Sequence, residues 1–231
     1  MIEIARTCRI LIVSVLVCSV PKNAEAQAQV RCGGLEITAE AADKAAAERA
    51  CKAVTRADHR LRELGLEHER PLLIEVTEEL DFGAGYCMAY YDAEAERLQV
   101  LSEPCLEDNP PPESAFPVVS AAVLFESLIH HELTHAYLDQ TLEGRPLPRA
   151  AHEYLAYAIQ IEMLPESVRA QFLNDAHVSL PATIEELNEA MLFMAPSRFA
   201  AAAWFYFQQN GGGPEAVERV LAGHENFRRS R

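Results

Sequence analysis

Five consecutive residues, His131-Glu132-Leu133-Thr134-His135, place two imidazoles and a carboxylate at helical spacing. On an α-helix, positions i and i+4 stand one turn apart on the same face. Two neutral ring nitrogens so placed can grip one tetrahedral Zn2+ from the same side. Glu132 then points toward the open side of the metal without binding it. There a carboxylate can take a proton from water activated at the metal and later pass it to a leaving group. His131 and His135 are therefore candidate zinc ligands and Glu132 a candidate general base. The competing reading is a chance string on a surface helix, and the context weighs against it.

The context is a helix expected over Ala115 to Gln140. Val118, Ala122, Phe125, Ile129, Leu133 and Ala136 form an apolar stripe at spacings of three and four. His131 and His135 lie on a flank of that stripe, which suits the wall of a cleft. Gly144-Arg145-Pro146 follows where the helix should stop. His130, next to the motif, reads as a helix-surface residue.

A catalytic zinc needs a third protein ligand, with the fourth position left for water. Glu153, in His152-Glu153-Tyr154-Leu155-Ala156, lies on the next expected helix, after a reversal through Gly144, Pro146 and Pro148. Asp139 and Glu143 are rivals, but both sit too close to the end of the first helix to return comfortably to the metal. HExxH followed by a helical Glu at this distance resembles the gluzincin metallopeptidases, the group of thermolysin and the zinc aminopeptidases. Their third-ligand motif often reads Asn-Glu-x-x-Ala. The stretch from Ala201 to Phe207, with Gly213 to Leu221, is similar to the C-terminal helices of small gluzincin-type domains. The resemblance spans about residues 70 to 223 and is specific only at the two metal motifs. It implies His131, His135 and Glu153 as ligands and Glu132 as general base. His152 stands where Asn is usual, either supporting the metal or exposed. A Tyr or His donor to the developing oxyanion is expected near Phe199, which has no hydroxyl. Tyr206, Tyr157, Tyr154 and His177 are the substitutes.

Residues 1–26 read as a secretory signal. Arg6 and Arg9 precede an apolar Ile10 to Val20, and Ala24-Glu25-Ala26 offers a small-x-small cleavage site. The apolar run is short for a membrane span. Val17 before Cys18 argues against a lipoprotein. Cleavage leaves residues 27–231 as one expected domain, carrying Cys32, Cys51, Cys87 and Cys105. Four cysteines in an exported chain favour two disulfides, with Cys32–Cys51 and Cys87–Cys105 preferred among three pairings. Thiol zinc binding lacks a close Cys-x-x-Cys pair to support it.

The whole chain carries 20 basic and 35 acidic residues, net −15. Such acidity excludes nucleic acid and anionic membrane surfaces as natural partners. After cleavage no apolar stretch approaches membrane-spanning length, and nothing sets the oligomeric state.

Helical spacing runs from Thr38 to Gly65, with Thr38 as its cap, and Pro71 to Leu80 reads as a strand. Tyr86 to Tyr91 and Arg97 to Leu101 form a hairpin pattern around an acidic loop. Helices are expected over Arg149 to Met163, Glu166 to His177, Ile184 to Phe193, Ser197 to Gln209 and Pro214 to Gly223. The order predicts an α+β, zincin-like fold: a small mixed sheet with its hairpin on the HExxH helix, then a mostly helical C-terminal half. Three functions compete. The first is an exported zinc peptidase acting on a peptide or protein substrate, held by strand addition to either hairpin strand. The second is a metal-retaining binding or inhibitory protein without turnover. The third is a helical adaptor in which the motif is accidental.

Overall fold

A computed structural model describes residues 27–81, 88–108, 119–225 and 227. The expected secretory signal, residues 1–26, lies outside them. β1 (Ala28–Arg31) and β2 (Ile37–Ala41) lead into α1 (Lys44–Glu63), followed by β3 (Leu72–Thr77), β4 (Ala89–Asp92) and β5 (Arg97–Leu101). These strands make one sheet in the order β1-β2-β3-β5-β4. The three inner strands are parallel, while β1 and β4 run antiparallel at the two edges. The sheet is small and mixed, as the sequence predicts.

One strand hides inside an expected helix. Ile37–Ala41 alternates buried and half-buried residues with period two and pairs with β3. Thr38 therefore sits in a strand and caps nothing. Its alanines (Ala39, Ala41) read equally well as helix formers, so propensity misleads until the parallel partner is present. The cap of α1 is Asp43, whose side chain accepts from the Ala46 N–H at 2.8 Å. β1 is a further strand with no counterpart in the sequence reading, and so is the short helix α2 (Glu103–Asp108).

Cys32 at the end of β1 is bonded to Cys51 on α1, as expected. Cys87 lies outside the described residues, and the second expected pair with it.

The motif helix is α3 (Ala121–Leu142). It begins later than expected, because Ser120 caps it by accepting from the Val123 N–H. It ends at Glu143, which takes the left-handed conformation at φ 50°. Residues 115–118, the expected start, are outside the described residues. α3 is buried on most of its circumference, packed by α1 and the β4–β5 hairpin on one side. His130 is accordingly buried, at 2 % exposure, and not on the surface. Ala122, expected in the apolar stripe, is exposed.

The C-terminal half is helical: α4 (Arg149–Glu162), α5 (Glu166–Asp175), α6 (Glu189–Met194), α7 (Pro196–Gln209) and α8 (Pro214–Leu221). The single helix expected over 184–193 is a 3-10 turn at Ile184–Glu186 followed by α6. Asn188 restarts the helix by accepting from the Met191 N–H at 3.1 Å. α4 lies between α3 and α7, and Ala200 to Ala203 of α7 let the backbones approach closely. The α+β class and the helical C-terminal half are thus both present.

Candidate metal centre

α3 supplies the first half of the site. His131 and His135 sit one turn apart, with Nε2 atoms facing each other at 3.2 Å. Two imidazole lone pairs repel at that distance unless a proton or a cation lies between them. The reversal through residues 143–148 brings α4 back along α3, and Glu153, on its second turn, meets the pair. Its Oε2 is 3.5 Å from His131 Nε2 and 4.0 Å from His135 Nε2. Among the described residues these three form a group that could hold a metal ion. The nearest point equidistant from atoms so separated, in their own plane, lies about 2.1 Å from each, close to the length of Zn–N and Zn–O bonds. Two nitrogens and one carboxylate oxygen are donor types that zinc accepts, so the group could hold such an ion.

The three side chains perturb one another strongly. Burial alone would lower His131, but its hydrogen bond to Glu153 and the charges of Glu132 and Glu153 raise it overall. Burial lowers His135 to about 3, helped by the charge of His131. Burial opposes ionisation of Glu153 too, yet the hydrogen bond and charge of His131 hold it down to about 2. A bound dication would take the place of the His131–Glu153 contact, competing with any proton on the imidazole.

Glu132 stands apart from this group. Burial pushes its carboxyl up to about 7, and the backbone of Tyr91, on the edge strand β4, partly opposes this. The helix that carries the two imidazoles thus turns Glu132 toward the sheet edge.

A residue that sequence reasoning missed fixes the metal-facing side of His131. Gln160 of α4 is buried, and its Oε1 is 3.0 Å from His131 Nδ1. With His131 donating from Nδ1, the Nε2 lone pair is turned to the Glu153 side. Gln160 Nε2 reaches Ser127 Oγ at 3.4 Å, and Ser127 donates to the Leu124 carbonyl at 2.9 Å. Glu153, Tyr157 and Gln160 follow at i, i+4 and i+7, the spacing of one helix face. That periodicity was the available sign.

The other expected residues separate cleanly. Tyr157 packs against His131 with ring centroids 4.6 Å apart, and its far side meets Phe199, fully buried, at 6.0 Å. Tyr154 and Tyr206 pack on each other instead, and the Tyr206 hydroxyl donates to Glu225 at 2.9 Å. His177 is exposed beyond the end of α5. His152 lies beside His135, with ring centroids 6.0 Å apart. Of the rival ligands, Asp139 is held by Arg70 at 2.6 Å and by the Tyr91 hydroxyl at 3.4 Å. Glu143 is exposed at the cap of α3.

No curated protein and no solved structure matches the chain. A family does match, over residues 37–230, which take in the sheet from β2 onward and every residue of the metal centre. The chain belongs to DUF6639, a family of unknown function.

Proposed function

We propose that this chain is an exported, gluzincin-type zinc peptidase. The observation that carries the reading is the convergence of His131, His135 and Glu153 on one point, with a separate carboxylate, Glu132, on the same helix. Zinc held by the three side chains supplies Lewis acidity, which makes water a usable nucleophile near neutral pH and polarises a peptide carbonyl. Glu132 takes a proton from the attacking water and delivers it to the amine nitrogen as the C–N bond breaks, so one water yields one carboxylate and one amine. Gln160 holds the His131 ring in the tautomer that leaves Nε2 open. Tyr157, against His131, is the donor best placed to stabilise the oxyanion, in place of the group expected near Phe199.

The substrate strand follows from the topology. β5 has strands on both sides, whereas β4 is the outer strand, and the backbone of its Tyr91 lies near Glu132. An extended peptide laid along β4 brings its backbone past the metal centre. Export is supported by the N-terminal secretory pattern and by the Cys32–Cys51 disulfide. No helix among the described residues is long and apolar enough to cross a membrane.

One observation favours a second reading, a metal-bearing binding protein without turnover: Phe199 occupies the position expected for an oxyanion donor. Glu132→Gln separates the two. The variant should fold and hold metal like the wild type, while hydrolysis across a diverse peptide library falls by about 100-fold or more. Metal-loaded wild type that cleaves nothing in that library establishes the binder instead.

A further inference from the structure

Arg149 opens α4 one turn before Glu153, on the same face of the helix. Its side chain is exposed, and among the described residues no carboxylate lies within ion-pair distance of it. The guanidinium lies over the Phe193 ring instead, 4.8 Å from its centroid. Four residues before Glu153 on α4, it stands beside the metal centre at the start of the helix that supplies the third ligand. Phe193 and its neighbour Met194 are 64 % and 84 % exposed, which is unusual for large apolar side chains. Nearby, between Pro146–Ala150 and the start of α6, opens a cavity of about 580 Å3. Its walls are mostly apolar, with Leu147, Pro148, Ala190 and Phe227 among them, and among the described residues Glu189 is the charged one that lines it.

A guanidinium stacked on an aromatic face keeps its N–H groups in the plane, free to form a two-pronged pair with a carboxylate. The stacking also fixes its orientation in advance, so little freedom is lost on pairing. Glu153 lies one turn away on the same helix, and the chain as a whole is net −15, so a fixed, unpaired cation here is a specific attraction for a substrate carboxylate beyond that of the metal. We infer that Arg149 is a specificity-determining residue that pairs with a substrate carboxylate next to an apolar substrate side chain. The apolar group rests on Phe193 and Met194 or enters the cavity. This rests on the peptidase reading above. The carboxylate is the substrate's free C-terminus or an Asp or Glu side chain near the scissile bond.

The test compares matched peptides with zinc-loaded wild type, Arg149→Ala, Arg149→Lys and Arg149→Glu, each checked for equal metal content. Free C-termini are set against amidated ones, and Asp or Glu against Asn or Gln. Wild type should prefer the carboxylate by about tenfold or more in kcat/KM, chiefly through KM, the scale of one charged hydrogen bond. Arg149→Ala should abolish the preference, Arg149→Lys should keep part of it, and Arg149→Glu should reverse it. Loss of the preference on amidation assigns the C-terminus; loss on the Asp-to-Asn change assigns the side chain. Cleavage with no carboxylate preference, or a preference that survives Arg149→Ala, overturns the inference and leaves the peptidase reading standing. Absence of all cleavage by wild type overturns both.

Discussion

Gln160→Leu should weaken zinc binding while leaving all three ligands in place. Gln160 Oε1 stands 3.0 Å from His131 Nδ1, and both residues are buried, at 2 % and 8 % exposure. Leu has similar volume, so the cavity it leaves is small and the loss is one of hydrogen bonding. In the variant the Nδ1–H has no acceptor, a deficit of about 1–3 kcal/mol for a buried donor. The ring can relieve that deficit by rotating or by moving its proton to Nε2, and either change removes the lone pair the metal needs. Groups that orient a ligating His typically contribute about 10- to 100-fold in metal affinity, or about 1.4–2.7 kcal/mol, which agrees with the hydrogen-bond figure. The Ser127 contact, at 3.4 Å, adds little to this. Gln160→Glu supplies a stronger acceptor and should bind zinc at least as tightly as wild type. Competition against a chromophoric chelator at fixed pH measures the affinities, with circular dichroism to confirm the fold. An affinity for Gln160→Leu within twofold of wild type would refute the reasoning.

The Cys32–Cys51 bridge closes a loop with a sequence separation of 19, worth about 3 kcal/mol in the chain-entropy picture. Cys51→Ala should lower the urea midpoint accordingly, and a shift equivalent to less than a quarter of that figure would count against it. His68 gives a pH dependence of defined sign. It is buried against Tyr137, with rings 5.1 Å apart, and burial lowers its pKa, as does the charge of Arg62. Arg70 adds to the lowering, and Asp58 and Glu96 oppose it. The unfolded chain then binds a proton that the folded chain does not. The stability tied to neutral His68 is full above its unfolded value of 6.5 and is lost as pH falls toward the lowered folded value. The wild-type stability minus that of His68→Gln should therefore decline on acidification below that point, by at most about 1.4 kcal/mol per pH unit. Parallel unfolding profiles for the two proteins would remove His68 from the account.

The parts of the site legible in the sequence were those written in local spacing. His131, Glu132 and His135 share one helix, and Glu153 follows after a reversal marked by Gly144, Pro146 and Pro148. The structure brings the three expected ligands together. The supporting residues were not legible, because their roles depend on how α4 lies against α3. The spacing puts Gln160 and Tyr157 on the Glu153 face of α4, but only the packing of α4 on α3 shows that this face meets His131, while Tyr154 packs on Tyr206. His130 was misplaced because a helix packed on most sides has no polar face for it to occupy. The fold shows the same division. The β4–β5 hairpin carries its own turn, with Asp92 Oδ1 accepting from the Glu94 and Ala95 N–H groups, and it was visible. β2 owes its strand conformation to β3, some 30 residues away, and was not.

The most direct test of the central claim titrates zinc into metal-free protein, residues 27–231, while peptide-library hydrolysis is followed. Hydrolysis should rise in proportion to added zinc and level off at one equivalent per chain. His135→Ala should show no such rise. Hydrolysis that is independent of zinc, or one equivalent tightly bound with no hydrolysis at all, would contradict the assignment of this centre as catalytic.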